Sequence, residues 1–345
     1  MRKRSRTLAV AAVVSGLVSL LPQAARAVSV GSEADLFSVY AIGNIGTAAD
    51  PYDFSEFQGI TGAGGSAYFD NFFVNSGSVV GPFGLITGGS LSFTNGTING
   101  GVSSGGPVSI GFVEINGNVF TGSTFNAVDS TINGNLTTAG AVSGSGLTVT
   151  GSTAVAPYTP PIDIAALNNS LINASSSFAA LPQTGSFVNS CGGGGARPCT
   201  LTFDGVSGQN VFNIDASLIN QTGLVNFTGA PDATFILDIL GTNISLAAMG
   251  FNLAVGIGFS DILWNVAQVA TVILTEIQLP GTLLAPNSLV DFTNASIDGS
   301  LYAHDLIGNG ESHVVIPEPG TWVLLLTGLF ALFVVQRRGL RSRLA

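Results

Sequence analysis

The chain has 345 residues, 46% of them hydrophobic and only 9% charged, with 46 glycines and two cysteines. Between Val28 and Ile316, nineteen carboxylates stand against a single cation, Arg197, a net charge of −18 for that segment. A surface without lysine cannot neutralise phosphates, which excludes nucleic acid as a partner; the apolar content is too high and too regular for a disordered chain.

The chain opens on Arg2, Lys3, Arg4 and Arg6, continues through an apolar run from Leu8 to Leu21, and reaches the small-residue pattern Ala25-Arg26-Ala27. Basic start, short apolar middle and A-x-A end make a secretory signal peptide over residues 1–27, with cleavage expected after Ala27. The apolar run is shorter than the ~20 residues of a membrane span.

A repeat follows. Ile98-Asn99-Gly100 recurs as Ile115-Asn116-Gly117 and Ile132-Asn133-Gly134, at steps of 17 residues, with a degraded copy at Val149-Thr150-Gly151. Apolar and small residues alternate within each unit, as in Ser90-Leu91-Ser92-Phe93, which is strand patterning. A fixed period of this length predicts stacked units. Three short strands joined by tight turns fill each unit, so the expected fold is mainly β, a parallel β-solenoid over residues 28–315 with coils ~4.8 Å apart. The Asn-Gly pairs are expected at corners, where both residues tolerate positive φ. An antiparallel sandwich is the competing architecture.

The pattern breaks after Pro160-Pro161. Ile164, Leu167, Leu171, Ala174, Phe178 and Leu181 occur at helical spacing, which predicts one long α-helix over 163–181 with Asp163 as N-cap and Pro182 as stop. At ~1.5 Å per residue it spans about 28 Å, and its apolar stripe is expected to cover the flank of the solenoid. Cys191 and Cys199 flank a glycine-rich loop; after export they face an oxidising compartment and are expected to form a disulfide. Further on, Gly281-Thr282-Leu283-Leu284-Ala285 repeats as Gly299-Ser300-Leu301-Tyr302-Ala303, a period of 18 residues, with Leu263-Trp264-Asn265 one step back.

Candidate chemistry is sparse. His304 precedes Asp305 and His313 follows Glu311, but no G-x-S-x-G occurs, and neighbours on a strand point to opposite faces, so His304 and Asp305 are not expected to form a dyad. The carboxylates are scattered singly, which argues for a solvated surface over a metal site. Trp264, within Leu-Trp-Asn-Val, reads as a core residue before a sugar-stacking one. We expect no catalytic residue, metal or cofactor.

The chain closes on Pro317-Glu318-Pro319, an apolar stretch from Thr321 to Val335, and the basic residues Arg337, Arg338, Arg341 and Arg343. The stretch covers about 22 Å of a ~30 Å hydrocarbon core, a weak transmembrane segment with its basic end inside by the positive-inside rule. These elements, over 316–345, resemble the PEP-CTERM sorting signal. The resemblance implies an exosortase-type membrane protease as processing partner, a Gram-negative source, transient inner-membrane tethering, and a final place at the cell surface or in the extracellular matrix.

A second resemblance covers nearly all of 33–315. Phe57-Gln58-Gly59-Ile60-Thr61-Gly62, Leu284-Ala285-Pro286-Asn287 and Gly308-Asn309-Gly310-Glu311-Ser312-His313, in that order, are similar to the choice-of-anchor A domain, an adhesive domain of bacterial surface proteins. A solenoid with one helix alongside also resembles the single-domain bacterial ice-binding proteins. The expected function is therefore a structural or adhesive surface protein that holds exopolysaccharide or a cell-surface glycan. Ice binding is the alternative, for which Leu147-Thr148-Val149-Thr150 is the suggestive piece, and a polysaccharide lyase stands third.

Overall fold

The 17-residue unit is one turn of a three-sided parallel coil. The computed structural model describes residues 28–79, 81–192 and 197–314. Parallel pairing in register at each repeat, Val102↔Val119↔Leu136 on the first face, Val108↔Phe125 on the second and Ile98↔Ile115↔Ile132 on the third, rules out the sandwich.

The coils do not stack in chain order. From Val39–Ala41 the first face climbs through Thr61–Ala63, Phe83–Thr87, Gly101–Ser104, Val119–Thr121 and Leu136–Thr138 to Thr153–Val155. The chain then leaves this upper arm through a helix and restarts at the far end. There Gly208–Asp215, Ala233–Leu240, Ile262–Asn265, Thr282–Thr293 and Leu301–Gly308 build a lower arm that climbs back to the start. At the seam Val39, Tyr40 and Ala41 pair with Leu301, Tyr302 and Ala303, Ile45 bridges Leu306, and Phe57 pairs with Ser312. All three faces thus run on across a junction of residues some 260 positions apart in the chain. Tyr52 locks it from inside: its buried hydroxyl donates to the Gly310 carbonyl at 3.0 Å, and its ring lies 5.1 Å from that of Phe57.

Inward side chains form one elongated core, aliphatic behind the third face of the upper arm (Ile98, Ile115, Ile132), with phenylalanines behind its second face (Phe69, Phe93, Phe125), and dominated by large rings in the lower arm (Phe203, Phe212, Phe227, Phe235, Trp264). Each such side chain stabilises the fold by ~1.5–3 kcal/mol through apolar burial. Trp264 is core as expected, fully buried with its indole N–H donating to the Pro280 carbonyl at 2.8 Å. At one corner of the upper arm, buried hydroxyls replace apolar groups. Ser104 and Thr121 donate to the carbonyls of Gly89 and Gly106, in the coil behind each, at 2.9 and 2.7 Å, and so satisfy turn carbonyls that water cannot reach.

Two turn expectations are corrected. Of the three repeated Asn-Gly pairs only Gly100 has a positive φ, +98°. Gly134 is required for a different reason: a Cβ there would lie 2.5 Å from the Gly117 carbonyl oxygen of the coil beneath. The left-handed corner lies elsewhere, between the second and third faces, where Asn71, Asn95, Phe112 and Asp129 follow one another coil by coil with φ between 42° and 58°. In the lower arm the 18-residue step pairs Leu283 with Leu301, but the step before it is one residue longer, pairing Leu263 with Thr282.

The long helix spans Ile164–Ala179, slightly shorter at both ends than expected, with Asp163 accepting from the Ala166 N–H at 3.0 Å. It covers the first face across the seam: Leu167 and Leu171 join Ile86, Tyr40, Tyr302, Leu284, Leu263 and Ile236 in a second buried layer. Its far end is pinned by Ser175, whose hydroxyl donates to Asn265 at 2.7 Å, and Asn265 in turn donates to the buried Asp238. Burial raises the Asp238 pKa against the lowering effect of that hydrogen bond. Among the described residues no helix is long and apolar enough to cross a membrane; the expected signal helix and the transmembrane segment 321–335 lie outside them.

Candidate functional site

On the third face of the upper arm, strand alternation and constant coil length combine. In Thr97-Ile98-Asn99 the isoleucine points inward and the polar pair outward; Glu114-Ile115-Asn116, Thr131-Ile132-Asn133 and Thr148-Val149-Thr150 repeat this in register. Ile98, Ile115 and Ile132 are fully buried. The outer surface is therefore two parallel columns, Thr97/Glu114/Thr131/Thr148 and Asn99/Asn116/Asn133/Thr150. Neighbours are ~4.8 Å apart along the stack and ~6.7 Å across it.

The columns are held rigid. Asn116 Nδ2 donates to Asn99 Oδ1 at 3.0 Å, and Asn133 Nδ2 to Asn116 Oδ1 at 2.8 Å and Glu114 Oε1 at 2.8 Å. A third column at the adjoining corner continues the array: Asn135 donates through its backbone N–H to Asn118 Oδ1, and Ser152 to Asn135 Oδ1, both at 2.8 Å. β-Branched threonines have few rotamers, and laddered amides have one, so the array binds with little loss of side-chain entropy. It carries one charge, Glu114, in a domain otherwise rich in carboxylates.

At its lower edge the first column continues to Phe73, which pairs with Thr97 on one side and Glu56 on the other and is 50% exposed. Phe54, 72% exposed, stands at the neighbouring corner. The second face is less regular: Ser92, Ser109, Asn126 and Ser143 form one column, but the next contains Asp70, Gly111 and Val128.

The expectation from Thr148 and Thr150 was one rung of this surface. The other three rungs are visible as the residues either side of each repeated isoleucine, although in sequence Asn99, Asn116 and Asn133 read as turn residues beside glycine.

Cys191 and Cys199 form the expected disulfide. Arg197, inside that loop, donates from its guanidinium to the carbonyls of Thr222 and Ser245 at 3.2 and 2.9 Å, and burial lowers its pKa. His304 and Asp305 do come together, Nδ1 to Oδ2 at 2.7 Å, because they lie at a corner where strand alternation is interrupted. Asp305 also accepts from the Asn44 N–H at 2.7 Å, so the pair belongs to the seam. His313 bonds Asp298 at 2.8 Å and Glu311 at 3.4 Å. Burial pulls its pKa down, but the two carboxylates outweigh burial and the net shift is upward. Among the described residues no hydroxyl or thiol hydrogen-bonds to either histidine, and no group of three or more His, Cys, Asp and Glu is placed to hold a metal. Ala25, Ala27, Pro317, Glu318, Pro319, Arg337, Arg338, Arg341 and Arg343 lie outside the described residues.

Comparison with known proteins adds three likenesses. An ice-binding protein of Flammulina populicola is 31% identical over 99 residues, which cover 29% of this chain and 40% of that relative's length. The crystal structure of an ice-binding protein from the Antarctic ascomycete Antarctomyces psychrotrophicus matches at 20% identity and a TM-score of 0.31, over 57% of this chain and 93% of that one. That of an ice-binding protein from an Antarctic bacterium of the Flavobacteriaceae matches at 14% identity and a TM-score of 0.30, over 80% and 79%. Residues 31–314 match the family model described as "Putative Ice-binding-like adhesive domain". The chain belongs to this family of ice-binding-like adhesive domains.

Proposed function

We propose that this is an exported surface protein whose Thr/Asn array binds ice. The carrying observation is the array itself, with four rungs of outward polar pairs at constant spacing, three of them linked by hydrogen bonds between their own side chains. Hydroxyls and amides at strand and coil spacing order water into a two-dimensional lattice with a repeat near that of ice. Rigidity makes the gain per rung additive, as in multivalent binding. The partial likeness to the Flammulina populicola ice-binding protein supports the same reading. It acts by adsorption, without a catalytic step.

Thermal hysteresis and partition into growing ice test it. Thr131→Tyr puts a bulky ring on the array and is expected to abolish both activities while changing stability by no more than ~0.5 kcal/mol, since Thr131 lies on the outer face. Activity unchanged in that variant would overturn the assignment.

A second reading, adhesion to exopolysaccharide or a cell-surface glycan, is favoured by exposed Phe54 and Phe73 beside the array, where a sugar ring could stack. Pull-down on matrix polymers with Phe73→Ala separates it from ice binding, which should survive that change. We read the ends as removable addresses: a signal peptide, and a choice-of-anchor A arrangement closing in a PEP-CTERM signal that an exosortase-type protease processes at the Gram-negative inner membrane. The sequence motifs alone support that sorting route.

A further inference from the structure

We propose that two copies of this chain join head to head through the outer end of the upper arm. Among the described residues, the last coil presents three unpaired strand edges: Val142–Ser145 pairs there only with Phe125–Val128, Thr148–Val149 only with Thr131–Ile132, and Thr153–Val155 only with Leu136–Thr138. Every residue of Val142–Ser145 and Thr153–Val155 is exposed. Val142 and Val155 stand in register with inward-facing Phe125 and Thr138, yet are 39% and 72% exposed, so the stack ends on an uncovered apolar plate.

Open edges of this kind are normally blunted by charge, proline, a bulge or a covering element. None of these occurs within the three strands. No charged residue lies between Asp129 and Asp163, in a segment whose net charge is otherwise strongly negative. Like charge opposes contact along the flanks, whereas this end is neutral. The partner is therefore a surface that is itself neutral and offers free strand edges, and a second upper end has both properties.

The opposite end matches it poorly: among the described residues it leaves one free strand edge, the largely exposed Phe187–Cys191, against three at this end. There the antiparallel strand Phe187–Cys191 covers Cys199–Gly205, the Thr184 and Gly185 N–H groups bond the Val211 carbonyl, and Arg197 and Asn220 bond the strand Asn243–Ala247. Identical ends meet about a twofold axis. An axis perpendicular to the stack reverses strand direction, so edges pair antiparallel across the junction; one face meets its own copy and the other two exchange.

Sedimentation of the purified chain across a concentration series tests the proposal, with amide hydrogen exchange at 142–155 read in parallel. We expect twice the single-chain mass at high concentration, with exchange at these strand amides slowed at least tenfold as mass rises. Val155→Lys, at an exposed position, is expected to return the single-chain mass and fast exchange with an unchanged melting temperature. A single-chain mass at every concentration, or a dimer that survives Val155→Lys and is instead dissolved by Val188→Lys at the opposite end, would overturn it. Protection of 142–155 only on adding an unrelated strand-forming peptide, with no self-association, would also count against it.

Discussion

At the outer end of the lower arm, two faces are closed by a loop and by the side chains of Arg197 and Asn220, and the third ends on one free edge, Phe187–Cys191; at the outer end of the upper arm, among the described residues, three edges stand open. The arms differ along their length as well. From Phe83–Thr87 upward the coils keep 17 residues and the third face keeps aliphatic centres, whereas lower coils run from Gly208 to Ala233 and from Phe235 to Ile262 and enclose large aromatic rings. A regular outer array needs a constant coil and, behind its own face, inward side chains of similar size, here Ile98, Ile115, Ile132 and Val149. The upper arm meets that condition and carries the Thr/Asn columns; the lower arm varies its girth and carries the closures.

The sharpest way to break this contrast is to uncap the lower end. Arg197→Ala leaves the Thr222 and Ser245 carbonyls without their charged donor. We expect a loss of about 3 kcal/mol from hydrogen bonds to a charged group, seen as earlier denaturant unfolding in which hydrogen exchange rises first at Asn243–Ala247 and not in the upper arm. Cys191→Ser opens a loop whose cysteines are 8 positions apart. Its expected cost is about 2.5 kcal/mol by loop entropy, measurable as a lower denaturant midpoint that reducing agent reproduces in the native chain.

The smallest effect tests the seam. His313 faces Asp298, which also accepts from Gln278, and Glu311. Its folded pKa lies above the ordinary 6.5. Its contribution is therefore complete below the unfolded value and is lost as pH rises through the higher folded value. Melting temperature against pH should fall across that window in the native chain and fall less in His313→Gln; parallel curves would show that the seam does not depend on this charge.

Much of this fold was legible before any coordinates. Ile98, Ile115 and Ile132 define the coil because an inward site on a stacked strand accepts only an apolar side chain. The helix was legible from Leu167 and Leu171, and the disulfide from Cys191 and Cys199. The array was half legible: Thr148 and Thr150 stood out by composition, but Asn99, Asn116 and Asn133 suit a turn or a strand equally well until register places them. The His304–Asp305 contact was misjudged because alternation holds along a strand and fails at a corner.

Local pattern by itself determined the parallel coil, its inward residues and the long helix, because side-chain period and burial are short-range properties of the chain. The order of the stack, with Val39 seated on Leu301 and the helix carrying the chain between the two outer ends, was decided only by tertiary structure. Parallel strand edges of matching length are interchangeable locally. Which edge meets which depends on Tyr52 and Phe57 filling the interior and on Tyr302, beneath the helix, donating to the Ala34 carbonyl, across separations no local pattern spans.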